Sequence, residues 1–235
     1  MNLHEFCAEF EAAVRKAGPD WPEPGRGLIG RLAGESGWFG EVLERIILDP
    51  KYQADQRESI WPNEITIYRC PEFTLLAYLW QPRQADLIHD HGSWGVIGVM
   101  AGPILERKYD RLDDGSREGY AEVNERTSHV LGKGQGTSVL PLDKGIHRME
   151  NIGTGVGITL NAYGKSVRKG YIQFFDPESR SCWKAYAPSR LKQILAVHAL
   201  RDLLGPSSAD VLRKGLGPAS PAVRKEIESI LNSKK

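Results

Sequence analysis

Apolar residues follow two different rhythms along the chain. In the first fifty residues they recur at helical spacing. Leu3, Phe6, Phe10, Ala13 and Val14 make one face of a helix that Gly18-Pro19 would stop. Pro and Gly mark residues 22–30 as a loop. Phe39, Val42, Leu43, Ile46 and Ile47 form the face of a second helix over 38–48, closed by Asp49-Pro50. From about Glu64 the period shortens. ITIYR and FTLLAYLW read as strands on either side of a turn at Cys70-Pro71-Glu72. WGVIGVM and ILERKYDR follow, split at Ala101-Gly102-Pro103, and Asp113-Asp114-Gly115 marks another turn. Short apolar runs at 137–140, 157–163 and 171–175 complete at least eight strands over roughly 115 residues. No helix is expected between them, which argues an antiparallel sandwich or barrel. After Pro188 helical spacing returns. Leu191, Ile194, Leu195 and His198 share a face up to Leu204-Gly205-Pro206. Ser207 is expected to cap a short helix, and Pro221 lies near the start of a last helix over 218–231. The NSKK tail is expected to fray. The pattern predicts a mainly β protein with helices at both ends: residues 1–58 helical and packed on a barrel, 59–187 the barrel, 188–235 the C-terminal helices.

Composition narrows the function classes. The 235 residues carry 31 Lys+Arg against 30 Asp+Glu, a balance that argues against a protein built to wrap nucleic acid. No apolar run reaches the roughly 18–20 residues that span a bilayer. The first residues, MNLHEFCAEFEAAVRKAG, lack the apolar stretch of a secretory signal, so the expected location is cytoplasmic, with no membrane partner. Three dispersed cysteines, Cys7, Cys70 and Cys182, form neither a disulfide framework nor a CxxC metal pair. The 25 Gly and 14 Pro suit a chain of many turns.

Only six histidines are present, so each can be weighed. His89-Asp90-His91 stands out. Residues i and i+2 of a strand point to one face, so two imidazoles there can hold one metal ion. As packing, the same pair would need partners for four ring nitrogens. His147, in KGIHRMEN, can join them across a barrel. His4 and His198 fall on helical segments as packing or surface residues, and His129 lies in a polar strand-like stretch.

HDHGSWGVIGVMAGPILERKY, followed by GIHRMEN and LNAYG, resembles the cysteine dioxygenase family of cupins over roughly residues 60–183. The likeness is closest to the bacterial thiol dioxygenases, which include 3-mercaptopropionate dioxygenases. It implies a double-stranded β-helix barrel and Fe(II) held by His89, His91 and His147. Asn151 completes the H-x-x-x-N of the second cupin motif. The glutamate that usually follows HxH is replaced here, where Trp94 and Gly95 stand, as it is in thiol dioxygenases. Three imidazoles make a neutral ligand set. Imidazole suits Fe, Zn, Cu and Ni alike, so ligand type does not choose the metal, and zinc chemistry stays open.

Two departures matter. The cysteine that mammalian relatives cross-link to a tyrosine falls at about Gly95, so no such link forms, although the tyrosine is matched by Tyr163. The family's Ser-x-His-x-Tyr becomes Thr159, Asn161 and Tyr163, on one strand face by alternation. Asn161 can orient by hydrogen bonds but cannot titrate as His can. The substrate carboxylate of the relatives is held by an arginine, whose planar fork suits it. Alignment on Phe175-Asp176-Pro177 puts Ile172 at that place, which leaves Arg69 and Arg168 as candidate anchors. The resemblance implies an Fe(II)-dependent oxidation of a small thiol to its sulfinate, with the thiol and O2 as partners and an oligomer possible. Alternatives are a three-histidine oxygenase or lyase acting on a non-thiol, and a non-catalytic ligand-binding cupin.

Overall fold

The computed structural model describes residues 1–17 and 21–232. Gly18-Pro19 and the last three residues of the tail lie outside the described residues. The described chain forms two compact units.

The first unit takes in residues 1–57 and 61–184. It opens with helices α1 (Leu3–Arg15), α2 (Glu23–Gly34), α3 (Phe39–Leu48) and α4 (Pro50–Ala54). Asn2 caps α1 by a reciprocal box. Its side chain accepts from the Glu5 amide at 2.9 Å, and the Glu5 carboxylate accepts from the Asn2 amide at 3.0 Å. The strands that follow are β1 (Glu64–Arg69), β2 (Phe73–Trp80), β3 (Ile88–His89), β4 (Gly95–Ala101), β5 (Ile104–Arg111), β6 (Val123–Leu131), β7 (Gly136–Val139), β8 (His147–Asn151), β9 (Gly157–Gly164), β10 (Ile172–Asp176) and β11 (Ser181–Ala185). They make two antiparallel sheets, ordered β1-β2-β9-β4-β7 and β11-β10-β3-β8-β5-β6.

From β2 to β5 the chain changes sheet at every step. It makes one hairpin, β5–β6, and then crosses back and forth again to β10. The resulting quartets β2-β9-β4-β7 and β3-β8-β5-β6 are the two layers of a jelly roll, the double-stranded β-helix. The fold is therefore mainly β with flanking helices.

Burial explains the apolar runs. Leu76, Tyr78, Trp80, Ile97 and Val99 point between the sheets and meet Ile104 and Met149 from the other layer. Their neighbours Leu75, Ala77, Val96, Leu160 and Ala162 point outward and are covered by Phe6, Phe10, Leu28, Ile29, Leu32 and Ala33 of the N-terminal helices. A sheet covered on both faces needs apolar residues at nearly every position, so β2 and β4 lose their alternation.

The expected loop over 22–30 is instead part of α2. Pro24 sits in its first turn, where the missing amide would be unpaired anyway. Gly30 serves close packing: a Cβ there would lie 2.7 Å from the Gly134 carbonyl oxygen. From the sheet side, a Cβ on Gly98 would lie 2.7 Å from the Ile29 carbonyl oxygen.

The second unit takes in residues 58–60 and the chain from Ala185. Its helices are α5 (Pro188–Leu204), α6 (Ala209–Gly215) and α7 (Pro221–Asn232), around Ile194, Leu212, Val223, Ile227 and Ile230. The residue before α6 is Ser208, not Ser207, and it does not cap by its side chain. Its hydroxyl donates to the Gly205 carbonyl at 2.6 Å, closing a 3₁₀ turn. Among the described residues, no helix is long and apolar enough to cross a membrane.

Candidate metal centre

The β3–β8 pairing does what chain distance conceals: it sets His147 directly opposite His89. His91 lies two residues on, just past the strand, on the same side. All three rings are buried, and a nitrogen from each lies within 4.8 Å of the others. The Nε2 atoms of His91 and His147 are 2.8 Å apart.

Two of the tautomers follow from the partners. His89 Nδ1 lies 2.8 Å from the Leu87 carbonyl oxygen, which can only accept, so Nδ1 carries the proton. His147 Nδ1 lies 2.9 Å from Glu106 Oε1. Burial alone would raise the Glu106 carboxyl, but the hydrogen bond from His147 and the nearby Lys108 hold it below its ordinary value. It is a carboxylate and accepts. Both Nε2 atoms therefore carry lone pairs that face the shared centre, the form in which imidazole binds metals. Burial, then the neighbouring His147, presses His89 down to about 3; burial and the two other rings press His91 well below its ordinary value. A neutral, buried, convergent set with one ring held by a carboxylate fits a divalent transition-metal ion.

Alternation on β9 turns Thr159, Asn161 and Tyr163 inward. The Tyr163 ring stacks on His91, centroids 5.1 Å apart. Asn161 Nδ2 donates to the Tyr163 hydroxyl at 3.0 Å. Thr159 does not extend this chain as expected: its hydroxyl accepts from Trp80 Nε1 at 3.1 Å. Burial pushes the Tyr163 hydroxyl well above its ordinary value, so it keeps its proton. Gly95, directly across from Tyr163, makes room for the ring. A Cβ at 95 would lie 2.5 Å from Tyr163 Cε1.

Neither arginine reaches this chamber. Arg69 is exposed at the end of edge strand β1. Arg168 grips Asp90 by a two-pronged bond, 2.6 and 2.5 Å, and lies 4.5 Å above the Tyr171 ring. Asp90 sits between the two histidines, so alternation turns it to the opposite side. Arg168 thus fastens the HxH segment from behind instead of facing the metal side. His129 is exposed on β6, and His198 pairs with Glu226 at 3.4 Å in the second unit.

The centre opens into a cleft of about 490 Å³, part of it in open solvent. Its walls include Trp61, Tyr78, Trp80, Asp86, Asn161 and Tyr163. Sequence reading missed Glu106, Asp86 and Trp61. Glu106 carried no signal of its own: Ile104, Glu106 and Lys108 share one face of β5, and only the burial of Ile104 in the structure shows that this face points inward. A second ligand-like cluster, Glu11, Cys70 and Glu72, is bridged by the Arg15 guanidinium, a cation already in place.

No protein-family model matches the chain. Solved structures resemble it at low identity. An RmlC-like cupin from Shewanella frigidimarina NCIMB 400 is 14% identical, covering 49% of this chain and 88% of its own, at TM-score 0.35. A cupin superfamily protein from Desulfitobacterium hafniense DCB-2 is 9% identical over 49% of this chain and 87% of its own, at TM-score 0.33. An oxalate oxidase in complex with glycolate is 17% identical, covering 70% of this chain and 65% of its own, at TM-score 0.34. Likenesses this weak decide neither family nor chemistry, which rest on the chain's own residues.

Proposed function

We propose that this chain is an Fe(II)-dependent thiol dioxygenase that converts a small thiol and O2 into a sulfinate and a proton, R–SH + O2 → R–SO2⁻ + H⁺. The observation that carries the reading is the buried, uncharged His89, His91 and His147 set with Tyr163 stacked against it at the head of a small-molecule cleft. The sequence resemblance to thiol dioxygenases supports iron over the other metals that imidazole accepts. Bound there, ferrous iron would favour the thiolate form of the substrate and supply electrons and open positions for O2. The chain's own residues set the stage for this. Glu106 and the Leu87 carbonyl fix the ring orientation of His147 and His89. Tyr163 accepts from Asn161, so its own proton is directed elsewhere, and its raised pKa makes it a hydrogen-bond donor to oxygen or sulfur, not a base. Trp61, Trp80 and Met149 make the walls of the cleft largely apolar and limit the water that reaches the centre.

Aerobic O2 uptake by iron-loaded protein against a panel of small thiols tests the reading. Uptake matched one-to-one by sulfinate is expected. Absence of uptake with every thiol at full iron occupancy would overturn it, and uptake with a non-thiol metabolite alone would favour a different oxygenase. Replacing His147 by Ala should remove most of the bound iron, measured by metal analysis after gel filtration.

A further inference from the structure

We infer that the cleft beside the three histidines selects a thiol bearing an ammonium group and not a carboxylate. The thiol half of this statement rests on the dioxygenase reading; the ammonium half rests on the walls.

The first observation is what the walls lack. Among the described residues, neither Lys nor Arg lines the cleft. Two arginines adjacent in sequence to the site are committed elsewhere: Arg148, next to His147, donates to the Asp86 carbonyl at 3.1 Å, and Arg168, after β9, holds Asp90. A carboxylate entering here would lose water and meet no counter-charge from the chain. The second observation is what the walls offer. Trp61, Tyr78, Trp80 and Tyr163 present aromatic rings, whose faces attract cations. Asp86 brings a carboxyl group to the wall, with Oδ1 taken by the Met149 amide at 2.7 Å and Oδ2 3.7 Å from His89 Nδ1. Glu64 stands behind Tyr78, accepting from its hydroxyl at 2.8 Å. The third is an acceptor without a donor. Asn161 Oδ1 is buried in the wall and finds no hydrogen-bond partner in the protein, while its amide nitrogen is used by Tyr163. An ammonium supplies three donors, a carboxylate none.

The charge of a bound metal works against an ammonium. Glu106, 2.9 Å behind His147, opposes it; burial raises the Asp86 carboxyl well above its ordinary value, so Asp86 enters as a neutral hydrogen-bonding group. The aromatic walls, the open Asn161 acceptor and the lack of Lys and Arg in the lining leave a small aminothiol as the substrate class that the site complements.

Binding and turnover are to be measured separately. Iron-loaded protein kept anaerobic is titrated with three thioethers, 2-(methylthio)ethylamine, 3-(methylthio)propionate and 2-(methylthio)ethanol, followed by tryptophan fluorescence and calorimetry. The amine should bind at least about tenfold tighter than the other two, as one or two cation–π contacts and a filled acceptor would give. Trp61→Leu should weaken the amine roughly 3- to 30-fold and leave the propionate unchanged. Should that variant fold poorly, Asn161→Leu, which removes the open acceptor, gives the same comparison. Equal or tighter binding of the propionate or the alcohol would overturn the inference. Air-equilibrated assays then use 2-aminoethanethiol, 3-mercaptopropionate and 2-mercaptoethanol. A preference in kcat/KM for the aminothiol supports the inference; a preference for 3-mercaptopropionate overturns it and leaves the dioxygenase reading standing. Tight amine binding with no thiol consumed overturns the dioxygenase reading and supports ammonium recognition.

Discussion

At the scale of single residues, Gly95 decides where the Tyr163 ring can lie. The two residues face each other across the β4–β9 ladder, and a methyl group at 95 would meet Tyr163 Cε1 at 2.5 Å and Val139 Cγ2 at 3.0 Å. Gly95→Ala should cost about 1–3 kcal/mol, the usual range for overpacking, and push the ring off His91. Urea unfolding reads the first effect; unchanged stability would mean that the ring does not rest there. Glu106 acts through His147. Glu106→Gln keeps the shape but removes the charge that holds Nδ1–H. Iron affinity should fall about 10- to 100-fold, measured by chelator competition, with the fold intact by circular dichroism. The histidines were legible because they are few and HxH spacing is specific; Tyr163 was legible only through the family resemblance. Glu106 was not, because a buried glutamate has the same letter as a solvated one, and only strand register tells them apart.

At the scale of elements, α2 shows how composition misleads. Residues 22–30 read as a loop by their Pro and Gly content, yet two of the glycines in this helix do different things. Gly27 faces solvent, and a Cβ there meets nothing within 4 Å; Gly30 lies against the Gly134 carbonyl. Gly27→Ala should therefore stabilise the protein by about 0.5–1 kcal/mol, the gain in helix propensity. Gly30→Ala carries the same propensity gain and should nevertheless destabilise, because backbone must move to admit the methyl group. Thermal melts of the two variants check the contrast, and equal shifts of the same sign would argue against the close approach of α2. The segment after β9 is a second case. Arg168 was legible as a cation near the site, but its target was not. Alternation turns Asp90 away from the metal side, and the arginine follows it.

At the scale of the whole molecule, the buried histidines tie stability to pH. His89 titrates near 3 in the folded chain and at its ordinary value of about 6.5 when unfolded. Between those values the unfolded state binds the extra proton, so stability rises with pH there. The contribution is complete above pH ~6.5 and is lost as pH falls towards the folded value; His91, also depressed, acts in the same direction. Burial raises the Asp86 carboxyl and works the other way, so the quantity to measure is the ring's own share: between pH 7 and pH 5 the Tm of metal-free protein should fall relative to that of His89→Asn. A difference that stays constant with pH would show that the ring is not buried neutral.

The sequence by itself determined what depends on local period and residue chemistry. Short apolar runs between turn residues marked the strands, helical spacing marked most of the helices, and HxH pointed to a metal, with His147 and Tyr163 added by the family resemblance. Tertiary structure decided what depends on neighbours distant along the chain. It set His147 beside His89 through the β3–β8 pairing, turned Arg168 to Asp90, left Arg69 at a sheet edge, and walled the cleft with tryptophan, tyrosine and Asp86. The physical reason is that a strand's two faces follow from its own period, while the identity of the facing strand follows from how two sheets and their covering helices bury the most apolar surface together.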